Sequence, residues 1–273
     1  MSVTYTLDKP VQAFYGEQFT VPGSGGTKTV FNRRSGFNTI ELNAAAALRL
    51  HLAPRIGGIW RRSTTGVWSD LLAGRKAGSD GGLTLPYAPS VIDRGFTGQS
   101  LGLLSTERLY VGFPRKVNDL FVDVGATANS VGSVLTCENS DESGGGFTAL
   151  TITDGTDVAG ATLGADGNIT FTVPAGRAWL PRSLKEIWGE PTAPAERLFW
   201  LRFAVSVSLT AGTLIDQIAG FAEDDGAGTA TGSSSFLAAT TYRTYTLGEE
   251  VGALQFIAQA GGGTTVDCTW MRH

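Results

Sequence analysis

The segment 152–174, ITDGTDVAGATLGADGNITFTVP, gathers Asp154, Asp157 and Asp166 with four glycines between two strand-like runs. Carboxylates this close together could hold a divalent cation, act as an acid and base pair, or turn the chain. A calcium loop of the EF-hand kind needs oxygen ligands at alternating positions, Gly at the sixth and Glu at the twelfth, and that spacing is missing. Asp-Gly pairs are favoured in tight hairpin turns because both residues tolerate positive φ. The expectation is therefore two turns, at Asp154-Gly155 and Asp166-Gly167, and no metal or other cofactor. A cation, if one binds, would take Asp154, Asp157 and Asp166.

Other catalytic constellations are poorly supplied. The two histidines, His51 and His273, fall in an alternating apolar run and at the last position, and no GxSxG accompanies them. The acid-rich stretches ENSDES and AEDDG sit among Gly and Ser, where carboxylates are expected to be solvated rather than poised for glycoside hydrolysis. GSGGTKT has the composition of a phosphate loop without its spacing, and no helical pattern follows it. Of six tryptophans, Trp200 within LFWLRF is expected in a core and Trp60 and Trp270 at strand edges beside Arg. Trp179 and Trp188 fall in the least regular part; core or interface is the favoured reading for them too, and exposed, sugar-stacking rings the alternative. These readings point to a protein that is not an enzyme.

Composition agrees with a turn-rich β protein. Among 273 residues there are 37 glycines, and only 17% are charged. The net charge of −4 predicts no general affinity for nucleic acid. Its distribution is uneven: residues 1–100 hold 11 Lys/Arg against 6 Asp/Glu, and residues 101–273 hold 10 against 19. Cys137 and Cys268 each sit in an apolar run, SVLTCEN and TTVDCTW, and are expected as small buried hydrophobes rather than a disulfide. No apolar run long enough for a membrane span and no signal pattern is present, which predicts synthesis in a cytoplasm.

The elements that must position these residues read as strands. Residues 1–33 lack periodicity and are expected as an extended arm. In NTIELNAAAALRLHLAP, Ile40, Leu42, Ala44, Ala46, Leu48, Leu50 and Leu52 share one parity, which predicts a strand pair or one long strand despite the alanines. Residues 74–102 and 222–236 read as a long loop and a polar linker. From residue 103 onward RLYVGF, LFVDVG, SVLTCEN, FTALTIT, NITFTVP, LFWLRFAVSV and TLIDQIAGF predict strands at sandwich spacing, with a short helical turn in RAWLPRSLKEIWGE. The tail, TTYRTYTLG, EVGALQFIAQ and VDCTWMR around AGGGTT, predicts a hairpin or meander. The expected architecture is all-β and sandwich or jelly-roll-like. It has an arm at 1–33, a first lobe of 34–102 plus 237–273, a second sandwich lobe at 103–222, and a linker at 223–236.

The order RLYVGFPRKVNDLFVDV, ALTITDGTDVAGATLGADGNITFTVPAGRAW and LFWLRFAVSVSLTAGTLIDQI resembles a β-sandwich module of tailed-bacteriophage structural proteins. The shared pattern is a lYVGf strand, a DGT…GATL…dG.I segment and an aromatic-WlR run, over roughly residues 107–219. Phe171 stands where that pattern usually has Trp. The resemblance implies a virion component without catalytic residues, most plausibly a capsid decoration or cement protein on the capsid surface. It would bind the major capsid protein as a homotrimer. A tail or baseplate accessory protein and a carbohydrate-binding module for host attachment are the alternatives. In the decoration reading the basic N-terminal third, including Arg33, Arg34, Arg61 and Arg62, is the expected capsid contact.

Overall fold

The structure, a computed structural model, describes residues 13–23, 27–31, 39–54, 56–71, 99–142, 146–172, 178–221, 234–237, 242–246, 251–258 and 263–272. The chain is all-β, with one five-residue helix among the described residues. Its strands form two sandwiches that follow different rules of chain use.

The first sandwich is built from both ends of the chain. It contains β1 (Ala13–Val21), β2 (Thr27–Phe31), β3 (Thr39–Ala44) and β4 (Leu48–Pro54). From the other end come β17 (Ser234–Leu237), β18 (Tyr242–Thr246), β19 (Val251–Ala258) and β20 (Thr264–Arg272). One antiparallel sheet has the order β1-β20-β3-β18 and the other β17-β4-β19-β2. Between them Ile40, Leu42, Leu48, Leu50, Phe256 and Trp270 are buried. Of the positions predicted to share one face, Ile40, Leu42 and Ala44 on β3 and Leu48 and Leu50 on β4 are buried, on either side of a bend at Ala45, but β3 and β4 pair with different neighbours in different sheets. The expected pairing of the tail strands fails in the same way. β19 pairs with β2 and β4, whereas β20 pairs with β1 and β3. The β3–β4 connection, Ala45 to Ala47, leads from one sheet to the other instead of closing a hairpin, so that two consecutive amphipathic strands bury their apolar faces against each other.

Residues of the expected arm are strands. β1 runs in register with β20 from Ala13↔Arg272 to Val21↔Thr264, and β2 forms an edge of the facing sheet. Part of the expected linker is β17, paired with β4. The reach of the first lobe also changes, because β5 (Gly58–Arg62), β6 (Trp68–Asp70) and β7 (Gln99–Ser100) belong to the second sandwich. Arg33, Arg34, His273, and most of the predicted loop and linker lie outside the described residues.

The second sandwich adds β8 (Arg108–Phe113), β9 (Asp119–Val124), β10 (Leu135–Ser140), β11 (Phe147–Leu150), β12 (Ile152–Asp154) and β13 (Gly167–Phe171). β14 (Pro181–Arg182), α1 (Leu184–Trp188), β15 (Leu198–Val205) and β16 (Leu214–Phe221) complete it. One sheet has the order β11-β10-β15-β8-β5-β6, with β14 also on β15, and the other β12-β13-β9-β16-β7. The predicted strand FTALTIT breaks at Thr151, so that β11 and β12 lie in opposite sheets. Val111, Phe113, Leu120, Leu201, Phe203 and Trp179 fill the core. A bulge in β16 between Ile215 and Gln217 returns Ile215 and Ile218 to the same inward face.

The two sandwiches meet where β16 runs beside β4. Ala219 and Phe221 are buried on β16 there. Asp119 of β9 accepts two bonds from Asn168 Nδ2, at 2.7 and 2.8 Å. Burial pushes its carboxyl pKa up, against the opposing pull of Asn168 and of Gln255 on β19. Gln255 Nε2 lies near enough to exert that pull but makes no hydrogen bond of good geometry.

Both cysteines are free and buried, Cys137 in the second core and Cys268 in the first. Burial raises both thiol pKa values. A thiol reagent at neutral pH should therefore titrate two thiols in denaturant and neither of them rapidly in the native protein; one or no thiol in non-reducing denaturant would contradict the separation of the cores.

Candidate functional site

The outward face of β8 is buried and that of β15 is half-buried, Trp200 fully, because a second layer covers them. Strand register sets that layer out in rows. Glu138, Arg202, Tyr110 and Trp60 are consecutive cross-strand partners on β10, β15, β8 and β5. In the next row Arg108 of β8 stands opposite Arg62 of β5, and Arg62 opposite Trp68 of β6. A third row reads Trp200, Gly112, Gly58. The glycines explain how the Trp200 indole can lie flat on the sheet. A Cβ on Gly112 would stand 2.6 Å from Trp200 Cζ3, and one on Gly58 3.2 Å from its Cη2. Trp200 Nε1 donates to the Arg182 carbonyl at 2.7 Å, which satisfies its single donor inside the layer.

The helix α1 and its flanks form the lid. Ser183 and Glu186 make a capping box, and Gly189 ends the helix at φ 65. Leu184 and Ala193 pack on Tyr110, Phe147 and Trp200, with Ile187 and Trp188 partly buried at the edge. Beyond the cap, Glu190 reaches back to Arg62, accepting from Nη2 at 2.5 Å and Nε at 3.3 Å, and from Trp68 Nε1 at 2.5 Å. The Arg62 guanidinium lies 4.3 Å from the Trp188 ring centre, so ion pair and cation–π contact share one cation. Arg202 repeats the arrangement, 2.5 Å from Glu138 and 4.4 Å from the Phe147 ring centre.

Beside this lid lies an open groove of about 670 Å³, with Arg62, Arg108, Arg202, Glu138, Thr136 and Trp188 in its lining. Its guanidiniums outnumber the carboxylates that answer them. Arg62 pairs with Glu190 and Arg202 with Glu138. Arg108 donates to the Ser105 and Glu107 carbonyls at 3.1 and 2.7 Å and pairs with no carboxylate among the described residues. The hydrogen bond to Glu190 raises the Arg62 pKa, and the reciprocal bond from Arg62 lowers that of Glu190. Burial opposes the charge on Arg202, but its Glu138 partner holds the pKa above the ordinary value. Tyr110 is fully buried, and burial pushes its pKa up to about 12. Its hydroxyl lies near enough to the Arg202 guanidinium to interact with it but makes no hydrogen bond of good geometry, and a guanidinium can only donate, so the hydroxyl proton has no acceptor.

The structure separates the residues that the sequence placed together. Arg61 and Arg62 are neighbours on a strand and therefore point to opposite faces. Arg62 joins the aromatic layer, whereas Arg61 donates to the Leu101 carbonyl at 3.2 Å and lies 3.5 Å from the buried Glu107. They do not form one cationic patch. Asp154, Asp157 and Asp166 do not converge either; among the described residues no group of three His, Cys, Asp or Glu is arranged to hold a metal ion. Asp154 accepts from Thr156 and Thr162, Asp157 from the Gly160 amide, and Asp166 from the Val124 amide.

The expected pair of hairpin turns is one excursion closed at its base. Gly155 donates to the Asn168 carbonyl at 2.8 Å, and a Cβ on Gly155 would stand 2.5 Å from that oxygen. Glycine is needed at this base for close backbone approach; the positive φ angles fall at Ala159, Gly160 and Leu163 instead. Asp141 of the acid-rich ENSDES is buried, not solvated, and accepts from Thr148. Trp179 is fully buried between Phe171 and Phe199, in the core as the favoured reading of the tryptophans has it, and is no stacking surface. Trp188 is half-buried beside the groove, on the helix α1 and under the Arg62 guanidinium rather than exposed in an irregular segment. Arg108, Arg202 and Tyr110 were missed as site residues, although alternation in ERLYVGF and WLRF places all three on the face opposite the core.

No known protein family and no curated protein matches the chain. A solved structure titled as that of infectious bursal disease virus, Gx strain, aligns at 9% identity with a TM-score of 0.12, too low to carry an argument. That alignment covers 99% of this chain and 44% of the other.

Replacing Gly112 with Ala forces Trp200 off the sheet and should cost about 1–3 kcal/mol, read as a lower midpoint in denaturant; an unchanged midpoint would contradict the packing. Glu190→Gln tests the lid electrostatically. Because the folded pKa of Glu190 is depressed, its contribution is present above the ordinary value of 4.5 and lost as pH falls through the folded value. The stability difference between wild type and E190Q should therefore shrink on acidification, and be small throughout since the pair is partly exposed.

Proposed function

We propose that the chain is a non-enzymatic structural component of a bacteriophage virion, in the first instance a capsid decoration protein that bridges subunits of the shell. The observation that carries this reading is the use made of residues 107–219, the part that resembles a virion module. Its Asp-Gly segment hydrogen-bonds its own backbone and its large aromatics fill two layers of packing. Polar residues spent on internal structure fit a scaffold that works through its surface. Such a protein needs no turnover; it adds interface between capsid subunits and stabilises the assembled form by binding it preferentially. A trimer suits the three-fold junctions of a capsid lattice.

A carbohydrate-binding reading draws on Trp188, half-buried at the groove, but one face of that ring is taken by Arg62. The decisive experiment is the copy number in purified particles, by quantitative mass spectrometry against the major capsid protein. A ratio that is a simple fraction of the capsid subunits supports decoration, a handful of copies indicates a tail or baseplate position, and absence from particles overturns the virion reading. If the basic segment before β3 contacts the shell, R33E/R34E should lower particle occupancy, and unchanged occupancy would remove that segment from the interface.

A further inference from the structure

The groove on the outer face of the second sandwich has an unbalanced polar chemistry. Its lining brings Arg62, Arg108 and Arg202 together, and two carboxylates answer three guanidiniums. Arg108 is the cation left over, anchored by backbone carbonyls that fix its position without neutralising it. The buried Tyr110 hydroxyl is close enough for all three to act on it electrostatically, Arg202 most strongly, and its proton meets only these donors. A buried hydroxyl without a partner costs roughly 1–3 kcal/mol, and Phe in its place would fill the same space without that penalty. The arrangement is thus one acceptor short.

The aromatic rings argue against a sugar as the missing ligand. Arg62 covers the Trp188 ring at 4.3 Å, and Trp68 packs on Tyr110 with ring centres 5.0 Å apart. Each ring thus has one face already covered, which leaves no pair of open faces between which a pyranose would stack. What the groove offers is an open volume of about 670 Å³, guanidinium forks and a donor without an acceptor, which suit a carboxylate carried on a polypeptide segment.

We propose that the groove receives an acidic peptide segment of a partner protein, with a carboxylate seated between Arg108 and Arg202. The Tyr110 hydroxyl donates to that carboxylate once the guanidiniums part around it. The inference deepens the proposed function by naming the chemistry of docking, and relies on that reading only for the partner being a virion protein.

The test is a titration of the full chain into a fluorescein-labelled octaglutamate peptide, followed by anisotropy. Binding is expected with wild type, and R108E should raise Kd about tenfold or more. Tyr110→Phe should raise Kd several-fold while leaving thermal stability unchanged or higher, a combination that a purely structural tyrosine would not give. Lys28→Glu, an equal charge change at an exposed site on the first sandwich, should leave Kd within about twofold. Peptide binding equally weakened by K28E, unchanged in Y110F, or absent overturns the proposal. Preferential binding of oligogalacturonate over the peptide overturns it in favour of a saccharide. The copy-number measurement reads a different quantity, so peptide binding by a chain absent from particles would fail the virion reading alone.

Discussion

The antiparallel pairing of β8 with β15 is the constraint on which the rest of the second sandwich depends. From Phe199↔Phe113 to Phe203↔Leu109 the two strands run in register at the centre of their sheet. Strand alternation then assigns every residue to one of two jobs. Leu109, Val111 and Phe113 face Leu201 and Phe203 in the sandwich core, while Tyr110, Gly112, Trp200 and Arg202 form the floor of an outer layer. A one-residue slip would exchange the two sets, placing Arg202 in the core and Leu201 in the groove. The register that makes the fold also makes the site.

The outer layer shows how a sheet face without a facing sheet is covered. A five-residue helix is too short to be stable alone. It holds because its capping box satisfies the first turn and its apolar residues rest on Tyr110, Phe147 and Trp200. Glu190 then ties the end of the lid to β5 and β6 through Arg62 and Trp68. The result is a rim beside an open groove, with its cations and Glu138 placed by strand register and Glu190 by the lid.

Much of this was legible in the sequence, for a stated reason. Wherever one strand face is buried and the other wet, period-two alternation survives, and LFVDVG and the 39–54 run were readable on that basis; RLYVGF, buried on both faces, was readable from its β-branched and aromatic residues. Partner choice was not readable. Alternation says which way a side chain points but not which sheet a strand joins, so β19 and β20 looked like a hairpin and β5 to β7 looked like part of the first sandwich. The Asp-Gly segment misled on mechanism alone: the glycines are required, but for backbone approach at Gly155 rather than for positive φ. The site was half-visible. Arg62 and Trp188 stood out by type, whereas Arg108, Arg202 and Tyr110 became a group only through cross-strand register between segments some ninety residues apart.

The account rests on the outer face of β8 and β15 being the surface through which the protein binds. Hydrogen exchange followed by mass spectrometry, comparing the free chain with the chain on purified capsids, reads that surface directly. The account predicts new protection in the peptides covering Arg62, Thr106 to Arg108, Thr136 to Glu138 and Trp188, with little change across β1 to β4 and β17 to β20. Protection confined to the first sandwich, with the groove peptides exchanging as in the free chain, would contradict it.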